Sequence, residues 1–185
     1  MSTYQIAQCN IGRLRAPLES PALAGFVAAL EPINELADAA PGFVWRLQTD
    51  DGDATAIRVF DDDMLIINMS VWESIDALSE FVYRSPHRDV LRGRSQWFEK
   101  MDEAYLVLWW IPAGTTPTPA DAQARLATLR RDGPTPDAFT FRSPFPAPSQ
   151  SNSGQSRRAV PESTSARASS VSPEVVSRAS STSAE

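Results

Sequence analysis

Hydrophobic residues along the chain fall into short extended runs, separated by segments in which apolar residues recur with helical spacing. The extended runs predict four strands, at Tyr4–Ile11, Phe43–Thr49, Met64–Trp72 and Ala104–Ile111. The last run, AYLVLWWI, is too short for a long helix and is ended by Pro112, so it indicates a strand that is well covered by other parts of the fold.

Serine or threonine precedes each segment of helical spacing, where its side chain can cap the free N–H groups of the first turn. The four candidate caps are Ser20, Ser74, Ser85 and Thr118. Proline directly follows three of them, and proline suits the first helical position. Pro32 lies inside the first helical segment and removes a backbone donor, so we expect a kink or a break near Leu30.

The predicted elements occur in the order strand, helix, strand, strand, helix pair, strand, helix. This order is typical of a ferredoxin-like α+β fold, in which a four-stranded antiparallel sheet carries helices on one face. The opposite face then needs a cover, and a second copy of the same sheet is the simplest one. We therefore expect a homodimer.

Composition divides the chain into a folded part and a tail. All five tryptophans lie between Trp45 and Trp110, whereas residues 146–185 contain no Trp, Phe, Tyr, Leu, Ile or Met and are rich in serine. Such a tail cannot bury enough apolar surface to offset its chain entropy. We expect one domain over residues 1–145 and a disordered Ser/Pro/Ala-rich tail over residues 146–185.

Charge and targeting signals narrow the class of protein. The 17 basic and 23 acidic residues give a net charge of −6, which argues against the basic footprint of a nucleic-acid-binding protein. No apolar stretch approaches the roughly 20 residues that cross a bilayer, and no signal peptide is visible. We expect a cytoplasmic protein that binds neither nucleic acid nor membrane.

Side chains alternate between the two faces of a strand, so each predicted strand divides into two sets. The apolar set contains Ala7, Cys9, Ile11, Phe43, Trp45, Leu47, Leu65, Ile67, Met69 and Val71. The mixed set contains Ile6, Gln8, Asn10, Val44, Arg46, Gln48, Ile66, Asn68, Ser70 and Trp72. We expect the apolar set to face the helices and the mixed set to line a small-molecule pocket on the opposite face. The alternative for that face is plain solvation or a polar dimer contact.

Val90, Leu91, Trp97, Phe98 and Met101 mark the helix predicted after Ser85, and its apolar stripe extends to Met101. Two polar residues lie on this stripe. His87, the single histidine, and Arg94 lie about two turns apart on the same face. A guanidinium there requires either a ligand anion or a neighbouring carboxylate. Three roles are open to His87: general base, haem ligand or hydrogen-bond donor at the helix start. Asn34 and Trp110 are further candidates for the same pocket.

Other chemistries lack their sequence signatures. Zinc-ligand spacing, a phosphate-binding glycine loop and a nucleophile elbow are all absent from the sequence. Cys9 lies in an apolar strand, which favours a buried thiol over a reactive one. We predict neither a metal nor a cofactor, because a single histidine is weak evidence for haem.

Seven short motifs occur in an order that resembles one protein family. They are NIGRL (Asn10–Leu14), PIN (Pro32–Asn34), PGFVWRL (Pro41–Leu47), NMSVW (Asn68–Trp72), FVYRSPH ending at His87, RSQWF (Arg94–Phe98) and LWW (Leu108–Trp110). Over residues 7–145 the chain resembles the domain-of-unknown-function family 3291, which is placed among dimeric α/β-barrel proteins similar to antibiotic-biosynthesis monooxygenases. The resemblance implies a homodimer whose two sheets form a barrel, with a pocket between sheet and helices. It implies no particular reaction.

Two functions follow as hypotheses. In the first, the protein binds an aromatic or anionic metabolite, and cofactor-independent oxygenation is the leading reaction. Trp72 and Trp110 would then supply apolar wall, Asn68 and Arg46 would orient the ligand, and His87 would transfer a proton. In the second, the chain is a non-catalytic dimerisation or scaffold module, whose sheet face packs against its partner without a cavity. The sequence leaves open whether the protein is an enzyme.

We predict that truncation after Phe145 leaves the thermal stability of the protein essentially unchanged, because the tail lacks the apolar residues that a packed segment needs. The melting temperatures of the full chain and the truncated chain provide the measurement. A large loss of stability on truncation would show that the tail packs on the domain.

Overall fold

The computed structural model describes residues 3–149 apart from residues 51, 58, 59 and 61; the side chains of residues 89 and 91 also lie outside the description. The strands are β1 (Tyr4–Arg13), β2 (Phe43–Arg46), β3 (Leu65–Trp72) and β4 (Leu106–Pro112). The helices are α1 (Ala24–Asp38), α2 (Ile75–Arg84), α3 (His87–Trp97) and α4 (Pro119–Asp132). A short 3-10 turn, Pro21–Leu23, leads into α1.

The four strands form one antiparallel sheet in the order β2-β3-β1-β4. Strand β1 is central and pairs with both β3 and β4. The pairing places Gln8 opposite Ser70 and Asn10 opposite Asn68, so these polar residues lie side by side on one face. The strand order and element order confirm the ferredoxin-like α+β fold that the sequence predicts.

The predicted caps begin the helical segments. The Ser74 hydroxyl oxygen accepts a hydrogen bond from the backbone N–H of Ala77 at 3.1 Å at the start of α2. Thr118 and Asp121 form a reciprocal capping box at the start of α4. These contacts are local in sequence, which is why the helix starts could be predicted from short motifs.

Of the kink or break predicted near Leu30, the break does not occur, because helix α1 runs through Pro32. Proline lacks the N–H that would bond the carbonyl of residue 28, four positions earlier. Ala28 lies on the exposed side of the helix, where water can bind that carbonyl instead. The cost of the proline is thereby reduced, and the helix continues to Asp38.

Helix α3 ends at Trp97, earlier than the predicted stripe that extends to Met101. The backbone N–H of Arg15 bonds the carbonyl of Trp97 at 2.9 Å, and the N–H of Glu99 bonds the carbonyl of Arg13 at 2.8 Å. These bonds to the end of β1 draw the chain into an extended conformation at Phe98. Tertiary pairing therefore overrides the helical periodicity here.

The assignment of the two strand faces was wrong. Residues of the mixed set, such as Trp72 and Ile66, pack against Leu78 of α2 and Phe26 of α1. The apolar set packs instead with α4, through side chains that include Leu126. Alternation separates the residues of a strand into two sets, but it does not determine which set the helices cover.

A bulge in β2 also changes the face of one residue. Phe43 pairs with Trp72 and Trp45 with Val71, with a register shift between them. The ring of Phe43 therefore lies edge-on to Trp72, with centroids 5.3 Å apart, on the mixed face and not with the apolar set. An inserted residue of this kind reverses the alternation and cannot be read from the hydrophobic pattern.

The apolar face is buried within one chain. Ala7, Met69 and Val71 are each 0% exposed, and Trp109 is 2% exposed. A partner sheet is therefore not required to cover this face. The sequence predicts a homodimer because one sheet face would need such a cover, and the structure removes that reason. The homodimer itself stays a prediction.

The described body extends to the predicted end of the domain. The carbonyl of Phe145 accepts a hydrogen bond from the indole N–H of Trp110 at 2.9 Å. The predicted tail lies outside the described residues from residue 150 onward. Among the described residues, no helix has the length and apolar character needed to span a bilayer.

Gly42 generates a stability prediction, since it has a positive φ of 78° and an added Cβ would lie 2.7 Å from the Cβ of Ala77. We expect Gly42→Ala to lower the free energy of unfolding through backbone strain of about 1–2 kcal/mol and a clash of about 1–3 kcal/mol. Gly114→Ala is the matched control, because Gly114 has a φ of 82° and open space around it. Urea unfolding of both variants provides the measurement; equal losses would contradict the close contact with α2.

Candidate functional site

A cavity of about 150 Å³ lies between the mixed face of the sheet and helices α1 and α3, with the segment 53–55 at its side. Its floor includes Asn10, Ile66 and Asn68, from β1 and β3. Its walls include Phe26, Leu30, Ile33, Val90, Trp97 and Phe98. A cavity of this size has room for a ligand of about one aromatic ring.

The cavity brings together five of the residues predicted from the sequence. They are Asn34, Arg46, Asn68, His87 and Arg94. Ser70 and Trp72 do not line it, although they lie on the same sheet face. Trp110 also lies elsewhere: it packs in a cluster with Phe139, at a centroid distance of 6.5 Å.

Sequence reasoning missed several residues of the cavity. Asn10 had a usable signal, because it belongs to the mixed set and to the NIGRL motif. Trp97 and Phe98 were predicted as helix residues without a role in the pocket. Asp53 and Thr55 gave no signal for this cavity, because only the folded loop brings them to it.

Arg94 contributes a positive charge to the cavity wall. Its guanidinium carbon lies 4.5 Å from the ring centroid of Tyr105 and 5.9 Å from that of Phe98. Within the described part of the chain, its side chain forms no ion pair and no hydrogen bond. Aromatic faces stabilise a cation weakly in comparison with a carboxylate, so the guanidinium retains its capacity to bind an anion.

Arg46 differs from Arg94 in having protein partners. It binds both carboxylate oxygens of Asp38, at 2.8 and 3.1 Å, and donates to the carbonyl of Gly52 at 2.6 Å. Asn34 donates a longer hydrogen bond, at 3.4 Å, to the same carbonyl. These contacts connect α1 to the loop that borders the cavity.

Among the cavity residues that the structure describes, the one carboxylate is that of Asp53, and it is engaged in its own turn. Its Oδ1 accepts hydrogen bonds from the backbone N–H and the hydroxyl of Thr55, at 2.7 and 2.6 Å. The described contacts of Arg94 do not include this carboxylate. Asp53 therefore shapes the loop and does not neutralise the guanidinium of Arg94 through a direct ion pair.

His87 lies at the start of α3, where the Ser85 hydroxyl accepts its backbone N–H at 3.1 Å. Its ring is 5.0 Å from that of Phe81, and its Nδ1 is 3.4 Å from the carbonyl of Val82. Burial lowers the pKa of His87, and the Val82 carbonyl opposes that effect. A proton on Nδ1 would be directed to Val82, which leaves Nε2 as the basic nitrogen.

A chain of hydrogen bonds, buried along most of its length, runs along the same sheet face toward the cavity. Trp72 Nε1 donates to Ser70 Oγ at 2.9 Å, and Ser70 Oγ lies 3.0 Å from Gln8 Oε1. Gln8 Nε2 then donates to Asn10 Oδ1 at 3.0 Å. Ser70 and Trp72 therefore connect to the cavity through Gln8 and Asn10.

Two other chemistries find little support in this site. Burial raises the pKa of the Cys9 thiol to about 12, so the nucleophilic thiolate is scarce near neutral pH. Among the residues that the structure describes, no group of three or more His, Cys, Asp or Glu side chains could hold a metal ion.

Comparison with known sequences gives a family match: the model of the domain of unknown function DUF3291 matches residues 5–156. No functionally curated protein matches the sequence.

Solved structures match this chain with low sequence identity and low TM-scores. The protein PA3566 from Pseudomonas aeruginosa is 14% identical, with a TM-score of 0.42 over 62% of this chain and 98% of its own. Rv0793 from Mycobacterium tuberculosis is 15% identical, with a TM-score of 0.39 over 62% and 99% of the two chains. A variant of SnoaB, a cofactor-independent oxygenase from Streptomyces nogalater, is 17% identical, with a TM-score of 0.38 over 62% and 97%. Similarity of this extent carries no argument about the reaction.

The lowered pKa of His87 predicts a pH-dependent loss of stability. The unfolded chain takes up a proton on this histidine as pH falls through its ordinary pKa of 6.5, whereas the folded chain resists it. The unfolded state then binds more protons, so the free energy of unfolding should fall in this window, until the lower folded pKa is passed.

Urea unfolding at about pH 7.5 and about pH 5.5, for wild type and for His87→Gln, measures the effect. Glutamine does not titrate, so the variant should lose less stability between the two pH values. Equal losses in both proteins would contradict a lowered pKa at His87.

Proposed function

The chain belongs to the domain-of-unknown-function family DUF3291, as its motifs predict, and we propose that it binds a small aromatic anion in the cavity between the sheet and helices α1 and α3. Arg94 is the observation that carries this proposal. A guanidinium keeps its proton at all ordinary pH values, so the half-buried Arg94 needs an acceptor for its charge, from water or from a ligand. The described residues provide ring contacts and no carboxylate partner, and a ligand anion would supply that partner.

Aromatic side chains around the cavity favour a flat, apolar ligand body. Phe26 contacts Phe98 edge-on at 5.1 Å and Trp97 at 5.9 Å, and all three line the cavity. Their ring faces and edges can pack against a ligand ring in the arrangements that aromatic pairs prefer. An aromatic carboxylate or phenolate of about one ring satisfies both the walls and the cation.

His87 supports proton transfer as the chemical step. A neutral imidazole near neutral pH can accept a proton from a ligand O–H or C–H, and the resulting anion is stabilised by Arg94. Cofactor-independent oxygenation of an activated ring begins with such a proton removal. Oxygen consumption in the presence of candidate aromatic acids is therefore the activity to assay.

The alternative, a non-catalytic dimerisation or scaffold module, requires the mixed sheet face to pack against a partner without a cavity. In this chain α1, α2 and α3 cover that face, and a cavity lies beneath α1 and α3. These observations favour ligand binding over a packing role for the same residues.

The test of the proposal is Arg94→Met, with benzoate as the probe anion. Methionine keeps apolar volume and removes the charge, so the melting temperature of the ligand-free protein should change little. Benzoate binding should weaken by about 1.5–3 kcal/mol, the worth of a lost charged hydrogen bond. Isothermal titration reports binding, and so does tryptophan fluorescence, to which Trp97 in the cavity wall contributes.

Arg84→Met is the matched control, because Arg84 is exposed and its ion pair with Glu80 lies on the surface of α2. It should bind benzoate as the wild type does. A loss of about 3–5 kcal/mol of folding stability in Arg94→Met would instead indicate a broken buried ion pair. That result, or unchanged benzoate affinity, would overturn the proposal.

A further inference from the structure

The hydrogen-bond chain from Trp72 to Asn10 is buried along most of its length. Gln8 and Ser70 are each 7% exposed, and Trp72 is 1% exposed. Trp72 is held in place by ring contacts with Phe43 at 5.3 Å and with Phe81 at 5.0 Å. The hydrogen-bond chain therefore begins at the fixed indole of Trp72 and ends at Asn10, which lines the cavity.

The donor and acceptor roles along this chain have one consistent direction. An indole N–H can only donate, so Ser70 Oγ accepts from Trp72. The Ser70 hydroxyl is then free to donate to Gln8 Oε1. With its oxygen so engaged, Gln8 presents Nε2, which donates to Asn10 Oδ1.

The reverse direction is disfavoured at Ser70. If the Gln8 amide rotated, its Nε2 would donate to Ser70 Oγ, which already accepts from Trp72. The hydroxyl hydrogen of Ser70 would then lose its acceptor while still buried, and an unmade buried hydrogen bond is costly. The indole of Trp72 thus sets the orientation of the Gln8 amide, and Gln8 in turn orients Asn10 at the other end of the hydrogen-bond chain.

Asn10 consequently has its oxygen occupied and its nitrogen available. Oδ1 accepts from Gln8, and Nδ2 has no hydrogen-bond partner within the part of the chain that the structure describes. We infer that Asn10 presents an amide donor to the cavity and selects ligands that place an oxygen acceptor beside β1, with Gln8, Ser70 and Trp72 as positioning residues. This inference rests on the proposed function for the cavity and adds a specificity determinant separate from the charge of Arg94.

The test compares two neutral probes of nearly equal shape, acetophenone and α-methylstyrene, in which a carbonyl oxygen replaces a methylene group. Wild-type protein should bind the ketone about fivefold more tightly, as expected for one neutral hydrogen bond. The same preference should persist in Arg94→Met, because the donor is Asn10. Side-chain amide signals of Asn10 in nitrogen-15 NMR spectra should shift with the ketone and not with the hydrocarbon.

Variants in the buried chain test the positioning role. In Ser70→Ala, Gln8 can rotate so that its oxygen accepts from Asn10, and the ketone preference should disappear while hydrocarbon affinity is unchanged. Ser70→Thr restores a hydroxyl and should restore the preference. Should Ser70→Ala fail to fold, Gln8→Met removes the donor that orients Asn10, so the ketone preference should weaken because the Asn10 amide is no longer fixed. Gln5→Met on the same strand is the matched control. The side-chain oxygen of Gln5 accepts a hydrogen bond from the backbone N–H of Gly114, and Gln5 takes no part in the hydrogen-bond chain from Trp72 to Asn10.

Three outcomes overturn the inference. One is equal affinity of wild type for the two probes, including binding of neither. Another is a ketone preference that vanishes in Arg94→Met, which would assign the donor to the guanidinium. The third is a preference that survives in both Ser70→Ala and Gln8→Met. Benzoate binding that depends on Arg94 would still support the proposed function in each case, so the two proposals can fail separately.

Discussion

The structure depends on the burial of β1 between two layers of its own chain. Helix α4 covers one face of the sheet, and α1, α2 and α3 cover the other. Gln8 and Asn10 lie on the second face, where their polar groups cannot all reach water. Gln8 finds both of its partners in the protein: the register with β3 brings Ser70 to its oxygen, and its nitrogen donates to Asn10. The hydrogen-bond chain is thus a consequence of covering a partly polar sheet face with helices.

The same constraint explains where the cavity lies. Large rings between α2 and the sheet fill the space at one end of the sheet, such as those of Trp72 from β3 and Phe81 from α2. Toward the other end, the floor carries Asn10 and Asn68, whose short side chains leave room beneath α1 and α3. The polar residues of this sheet face therefore divide into two groups: Ser70 and Gln8 belong to the buried network, and Asn10 and Asn68 line the cavity.

Much of the fold could be predicted, because its signals are local. The caps at Ser74 and Thr118 and the alternation in β3 act over a few residues, and the element order then restricts the topology. The face assignment and the position of Phe43 could not be predicted in the same way, since both depend on which elements pack together. For the site, helical spacing was sufficient to join His87 and Arg94. The place of Ser70 and Trp72 in the hydrogen-bond network, and not in the cavity lining, depends on the strand register, which is a property of the folded sheet.

The two arginines of the cavity show why residue type alone does not identify a binding group. Arg46 and Arg94 both line the space, yet Asp38 and the Gly52 carbonyl engage the first, while aromatic rings surround the second. An arginine with its donors occupied stabilises a loop, and one without a protein acceptor is prepared for a ligand. About two turns from Arg94 along α3, a neutral His87 would become a buried cation on accepting a proton, which burial disfavours. A ligand that gives up this proton becomes an anion at the same moment, so the two new charges can compensate each other. Under the proposed function, proton transfer in this cavity would therefore be tied to the binding of a ligand whose conjugate base Arg94 can hold.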